Sequence, residues 1–287
     1  MKRIVIGLFI SIIVLSACNA EETSSNEQVE KETAEEPSEK EIKENPDKEV
    51  TDEEKETAEE TEEPLEEINP KYKVSENWSI IPMEDGVNEK VVLLTIDDAP
   101  DNYAVDMAET LKELEVNAIF FVNGHFLDTP EEVEKLRKIH DMGFIIGNHT
   151  YNHPLLSDLS EEEQKEEIVQ LNDRVEEIIG ERPTFFRAPH GVNTDFSKQV
   201  AEAEGMTLMN WSYGYDYFEP YKNKEKLITA MVTGEGPEVD VPYSLLKPGA
   251  NLLMHDREWT AAALEEIVNG LRDKGYEMVD PKLIQTK

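Results

Sequence analysis

The chain has a single cysteine, Cys18, in 287 residues. No intramolecular disulfide can form, and no cysteine-based metal site can be built. Any metal must be held by histidine and carboxylate, and histidine is scarce, with six in all. Lys and Arg total 28 against 64 Asp and Glu, for a formal charge of −36. Phosphate backbones are bound through Lys/Arg patches, so nucleic acid is excluded as a partner class. A comfortable membrane span is missing as well. The early apolar stretch Ile4–Leu15 is too short and is interrupted by Gly7 and Ser11.

That stretch follows Lys2 and Arg3, which is the plan of a secretory signal over residues 1–17. Its end, Leu15-Ser16-Ala17-Cys18, resembles the lipobox of bacterial lipoproteins. The resemblance implies cleavage before Cys18 and a diacylglycerol on its sulfur. The membrane is then a partner through the lipid anchor, at the extracellular face of the bacterial cell membrane, within reach of the wall. An ordinary signal peptide with a chance cysteine is the alternative.

Residues 18–70 form an acidic linker in this reading. Residues 21–70 alone hold 22 Asp and Glu against five Lys, and residues 19–69 hold no aromatic. Such a segment cannot bury enough apolar surface to offset its ordering entropy, so a disordered tether is expected. Its 52 residues from Cys18 to Asn69 reach at most roughly 180 Å when fully stretched.

From Lys71 the composition turns globular, and residues 71–287 read as one catalytic domain. Apolar runs of strand length fall at Val91–Ile96, Ala118–Val122, Phe144–Gly147, Thr184–Arg187, Thr207–Trp211, Asn251–Met254 and Glu277–Val279. Amphipathic segments fall at Tyr103–Leu114, Pro130–Asp141, Ser160–Ile179, Phe196–Glu204, Lys224–Thr233 and Thr260–Lys274. Ser160 with Glu163 reads as a capping box, and Gly143, Gly180 and Gly205 sit where helices should stop. Strands alternating with helices predict an α/β fold with a parallel sheet, open or closed into a barrel. Trp78-Ser-Ile-Ile-Pro82 is expected to pack or pair ahead of it.

The chemistry-bearing residues follow the apolar runs. Val91–Ile96 ends in Asp97-Asp98. Phe144–Gly147 ends in His149-Thr-Tyr-Asn-His153. The run from Thr184 ends in Arg187-Ala-Pro-His-Gly191, and Asn251–Met254 ends in His255-Asp256. Strand alternation predicts that Asp97 and Asp98 face opposite sides and take different tasks. Alone, the Asp pair reads equally as a turn and His149/His153 as a solvated loop. In a barrel, strand ends meet at one face. Two imidazoles and a carboxylate then make a three-ligand set for a catalytic zinc, with a fourth position open to water.

Together these motifs resemble the polysaccharide deacetylases of the NodB-homology type, carbohydrate esterase family 4. Thr95-Ile-Asp-Asp-Ala-Pro100 is similar to T-F-D-D-G-P, and His149 to His153 matches H-[S/T]-x-x-H. Arg187 to Gly191 matches R-x-P-x-G, and Leu252 to His255 is similar to L-x-x-H. The resemblance implies a distorted (β/α) barrel of about seven parallel strands. It implies Zn²⁺, or another divalent transition metal such as Co²⁺, on Asp98, His149 and His153. It makes Asp97 the base, paired with Arg187, and His255 the acid that protonates the leaving amine. The backbone of His190 would help hold the oxyanion, with Pro189, Trp211 and Tyr151 on the substrate side. An Asp that orients the acid is expected after a Trp; Trp211 and Asp216 are the candidates, at a spacing that does not align cleanly.

The implied partner is an acetylated glycan, with peptidoglycan favoured by the anchor, and a monomer is expected. An O-acetyl esterase on a xylan-like polymer and a non-catalytic wall-binding lipoprotein on a decayed scaffold are the alternatives. Ala99 in place of Gly is expected to strain the loop if that position needs a positive φ. His190 stands where the family often has Tyr. His125 and His140 read as surface or loop histidines. Tyr213, Tyr215, Tyr217 and Phe218 read either as sugar platforms or as loop packing. Leu156 and Leu246 are candidate walls of the acetyl pocket.

Overall fold

The computed structural model describes residues 69–287. The signal, Cys18 and the acidic linker as far as residue 68 lie outside the described residues. Seven parallel strands carry the fold. β3 (Val91–Ala99) is the longest and lies between β4 (Ile119–Val122) and β8 (Ala250–His255). Beyond β4 come β5 (Ile145–Asn148), β6 (Phe185–Phe186) and β7 (Thr207–Leu208), and β9 (Glu277–Met278) pairs with the start of β3. The chain leaving β7 then turns the sheet back on itself. Met209 N–H donates to Phe186 O on one side, and Ser212 N–H donates to Asn251 O on the other. Thr207–Trp211, expected as one strand, is thus split so that its second half spans the gap between β6 and β8. The result is a distorted (β/α) barrel.

β3 shows how sequence becomes barrel. Its side chains alternate, as a pleated strand requires. Val92, Leu94 and Ile96 face outward and pack under the helices, while Val91 and Leu93 face inward with Ile119, Phe121, Phe185 and Met209. Thr95 and Asp97 continue the inward series toward the carboxyl end. The floor is closed by a hairpin of β1 (Tyr72–Val74) and β2 (Ile80–Pro82), whose Tyr72 and Ile80 join the inner cluster. The Trp78–Pro82 stretch therefore pairs, as expected, at the end remote from the chemistry.

Among the described residues, six α-helices cover the outside: α1 (Ala104–Glu113), α2 (Pro130–Asp141), α3 (Glu161–Ile179), α4 (Asp195–Ala203), α5 (Lys224–Thr233) and α6 (Glu258–Asp273). The Ser160/Glu163 capping box forms at the start of α3, and Gly180 ends that helix at φ +78. A side chain bearing Cβ is disfavoured in that left-handed conformation, which makes glycine the natural stop.

Candidate active site

The inward side chains at the carboxyl ends of β3, β5, β6 and β8 line one cavity of about 340 Å³. Its walls are Asp97, Asp98, His149, His153, His190, Trp211, Tyr217, Leu253 and His255. Asp97 and Asp98 both reach it, against the alternation expected of a regular strand. The cause is a β-bulge. Ile96 pairs with Phe120 and Ala99 with Val122, so three steps along β3 match two along β4. Asp98 takes up the extra residue at φ +60, which re-aims its side chain. The strain lands on Asp98, and Ala99 keeps an ordinary φ, so Ala in place of Gly adds none.

Asp97 is buried, and its Oδ1 accepts from Arg187 Nη1 at 2.6 Å. Arg187 has no exposed surface. It also donates to Thr95 Oγ1, Met209 O and Asn210 O, and its guanidinium lies 4.2 Å over the Phe121 ring. Burial pulls the Arg187 pKa below its ordinary value, and Asp97 opposes that. With Oδ1 of Asp97 taken, its Oδ2 is the oxygen left toward His149, 3.5 Å away.

His149 and His153 are carried by a tight loop, not by a helical turn. Asn123 Nδ2 donates to the carbonyls of His149 and Thr150, and Asn148 Oδ1 accepts from Thr150 N–H. Thr150 and His153 both have positive φ, as does His190. With Asp98, four of the seven described non-glycine residues of positive φ lie at this cavity or beside it. Such conformations cost roughly 1–3 kcal/mol each and persist where the surroundings enforce them.

The donor set has the chemistry of a metal site. His149 Nδ1 lies 2.7 Å from Arg187 O, and a carbonyl can only accept, so the ring proton sits on Nδ1. His149 Nε2 therefore points a lone pair at Asp98 Oδ1, 3.9 Å away. His153 Nε2 lies 3.5 Å from the same oxygen, and one donor atom from each of the three residues falls within 4.8 Å of the others. These gaps are too long for hydrogen bonds. Two ligands of one zinc, each bonded at about 2.0–2.2 Å in tetrahedral geometry, sit about 3.3–3.5 Å apart. His149 Nε2 and Asp98 Oδ1 thus face each other with no proton between them, an arrangement that a cation satisfies. Burial pushes His149 down and holds His153 at about 4, so both rings are neutral at pH 7, as ligation requires. Burial raises the Asp98 carboxyl, but His149, His255, His153 and Arg257 outweigh it and hold it below the usual carboxylate value. Asp98, His149 and His153 fit a divalent ion.

Across the cavity, His255 closes β8. Its Nδ1 meets Asp216 Oδ1 at 2.8 Å, and its backbone N–H donates to Asp216 Oδ2 at 2.6 Å. Asp216 is fully buried, and Thr260 Oγ1 donates to it while its own carbonyl accepts from Trp259 Nε1. Burial pushes His255 down, but the Asp216 carboxylate, joined by Asp97 and Asp98, more than reverses this, and the ring stands at about 9.

Trp211 and His190 line the cavity, with the His190 ring 4.9 Å from that of His153, edge to face. Pro189 is buried behind them in a short turn and is not part of the wall. Tyr151 points away. Its hydroxyl donates to Asp128 and its ring packs over Gly124, and it is not part of the cavity wall. Leu253 and Trp211 supply the apolar wall. Leu156 lies in a separate cluster with Phe186 and Ile168, and Leu246 packs beside Gly234. The four aromatics divide: Tyr213 and Tyr215 are buried with their hydroxyls on Met231 O and Gly234 O, Phe218 packs against the core beside the Tyr217 ring, and Tyr217 is 46% exposed at the rim. Neither His125 nor His140 reaches the cavity.

Two residues in these motifs carry contacts that sequence reading missed. Asp256 accepts from the N–H groups of Asp101 and Tyr103, which fixes the turn after the Asp pair. Arg257 Nη2 donates to Asp98 Oδ2 at 2.7 Å. Their position directly after His255 was the available signal.

Comparison with known proteins agrees with this geometry. A family profile described as polysaccharide deacetylase matches residues 84–209. The chain is 31% identical over 221 residues to the peptidoglycan-N-acetylmuramic acid deacetylase PdaC of Bacillus subtilis, a match covering 75% of this chain and 42% of that one. The chain thus spans less than half of that relative. It is 29% identical to a peptidoglycan-N-acetylglucosamine deacetylase of Bacillus cereus, covering 69% and 70% of the two chains. The solved structure of PdaC superposes with a TM-score of 0.57 at 30% identity, covering 68% of this chain and 89% of that one. A CE4 family pseudoenzyme from Bacillus anthracis superposes with a TM-score of 0.58 at 26% identity, covering 68% and 64%. Described by its fold, its motifs and these relatives alike, the chain belongs to the polysaccharide deacetylase family.

Proposed function

We propose that this chain hydrolyses N-acetyl groups from a cell-surface glycan, most directly the amino sugars of peptidoglycan, with a divalent ion such as Zn²⁺ held by Asp98, His149 and His153. One observation carries the catalytic reading: metal donors, base and acid are all present around one cavity. A decayed scaffold would normally lack at least one of them. Peptidoglycan as the polymer rests on the named relatives and on the lipobox-like sequence at Cys18, which supports a lipid anchor at the outer face of the cell membrane.

A bound ion would supply a Lewis acid and an acidified water. The residues then divide the work. Arg187 occupies one oxygen of Asp97 and leaves Oδ2 to take a proton from the attacking water. Trp211 and Leu253 give the acetyl methyl an apolar wall. His255, protonated at neutral pH and steadied through Nδ1 by Asp216, presents its other nitrogen to the leaving amine. Water adds its hydroxyl to the acyl carbon, the C–N bond breaks, and the amine leaves with the proton of His255. The products are acetate and a free amino sugar. Tyr217, at the rim and 5.7 Å from the His255 ring, offers an aromatic face to the sugar.

Acetate release from purified peptidoglycan and from acetylated xylan, with and without chelator, tests this. Release from peptidoglycan that chelator abolishes and zinc restores is expected. Release from xylan alone would reassign the polymer, and no release from either by the metal-loaded protein would refute catalysis.

A further inference from the structure

Arg257 stands apart from Asp97, Asp98, His149, His153, Arg187 and His255, yet its guanidinium touches the carboxylate that would bind the ion. We infer that Arg257 is a positioning residue that holds Asp98 to a single ligating oxygen and so keeps coordination positions open for water and substrate. The inference rests on the metal reading of Asp98, His149 and His153.

The two oxygens of Asp98 have different surroundings. Oδ1 faces the imidazoles, 3.5 Å from His153 Nε2 and 3.9 Å from His149 Nε2. Oδ2 receives Arg257 Nη2 at 2.7 Å, the short distance of a charge-assisted hydrogen bond. Arg257 is itself anchored, because Nη1 donates to Asp256 O at 3.0 Å. Asp256 in turn is tied to β3, its N–H donating to Asp97 O and its carboxylate accepting from Asp101 and Tyr103. The guanidinium is thus fixed to the frame that carries the Asp pair.

A carboxylate is free to bind an ion through one oxygen or two. Asp98 sits on a bulge, where strand pairing does not fix its side chain, so a second contact must choose between these modes. Arg257 makes that choice by occupying Oδ2. An arginine suits the task because one planar group reaches Asp98 and the Asp256 carbonyl together. Partners of this kind, one bond removed from the ion, commonly govern ligand orientation.

The test reads the ion directly. Protein is loaded with one equivalent of Co²⁺, whose visible absorbance falls as its coordination number rises. Wild type, Arg257→Ala and Arg257→Lys are compared, with folding checked by circular dichroism. Releasing Oδ2 in Arg257→Ala lets Asp98 chelate, so a fall of about twofold or more in molar absorbance is expected. Arg257→Lys retains a donor for Oδ2 and is expected to stay closer to wild type. An unchanged spectrum in cobalt-loaded Arg257→Ala overturns the inference. So does failure of that folded variant to take up cobalt, which would make Arg257 a requirement for binding and not for its mode. Wild type that binds no cobalt refutes instead the metal site on which the inference stands.

Discussion

Replacing Asp216 by Asn tests how the acid is made. His255 stands at about 9, against an ordinary 6.5, even though burial opposes its charge. That difference is worth roughly 3 kcal/mol in favour of the protonated ring, at about 1.4 kcal/mol per pH unit. Asp216 is the largest contributor to the rise. Because the pKa is raised, the protonated acid is present at neutral pH and is lost as pH climbs through about 9. Asparagine removes the charge while the burial remains. It also reverses the hydrogen bond. The backbone N–H of His255 and the hydroxyl of Thr260 both donate to Oδ2, so an amide must keep its oxygen there. Its NH₂ then faces Nδ1 and drives the ring proton to the other nitrogen. A neutral ring in that tautomer is a poor acid. Acetate release measured from pH 5 to 10 should show kcat reduced about 10²- to 10⁴-fold at neutral pH and an alkaline limb moved down by about two pH units. A folded, metal-loaded Asp216→Asn with the wild-type profile would refute the reasoning.

Four other outcomes follow from the same geometry. Asp97→Asn should keep its metal by elemental analysis yet lose turnover, and full metal loss in it would contradict the division of labour between the two acids. His153→Ala should lose metal affinity in a chelator competition, and unchanged affinity would remove that ring from the site. Arg187→Leu should be destabilised by about 3–5 kcal/mol in urea titration, because Asp97 is left buried without its partner. Asp256→Ala should lose roughly 1–3 kcal/mol in the same assay by stranding the Asp101 and Tyr103 N–H groups, and a neutral result would show the turn to be held otherwise.

Much of this was legible in the residues, for identifiable reasons. β-branched and aromatic runs separated by amphipathic segments announce a parallel sheet with helices, and ligands follow the strands they close. The bulge was not legible. Nothing in Ile96-Asp-Asp-Ala99 marks which residue will be extra, so alternation by itself could not show how both carboxylates reach one cavity. Asp216 was legible as a candidate only. The chain between Trp211 and Asp216 crosses from one side of the closure to the other, and its path is set by pairing with β8. Tyr151 was misplaced for a related reason: it sits between two histidines in sequence, but the positive φ at Thr150 and His153 turns it outward. Arg257 was overlooked because a cation beside metal ligands runs against the simplest charge argument. Only the contact to Asp98 Oδ2 gives it a purpose.

The most direct measurement is an anomalous-scattering map from a crystal grown with one equivalent of zinc. A single strong peak is expected about 2.0–2.2 Å from Asp98 Oδ1, His149 Nε2 and His153 Nε2, with Asp97 outside bonding distance. A zinc peak elsewhere, or none beside these three side chains, would contradict it.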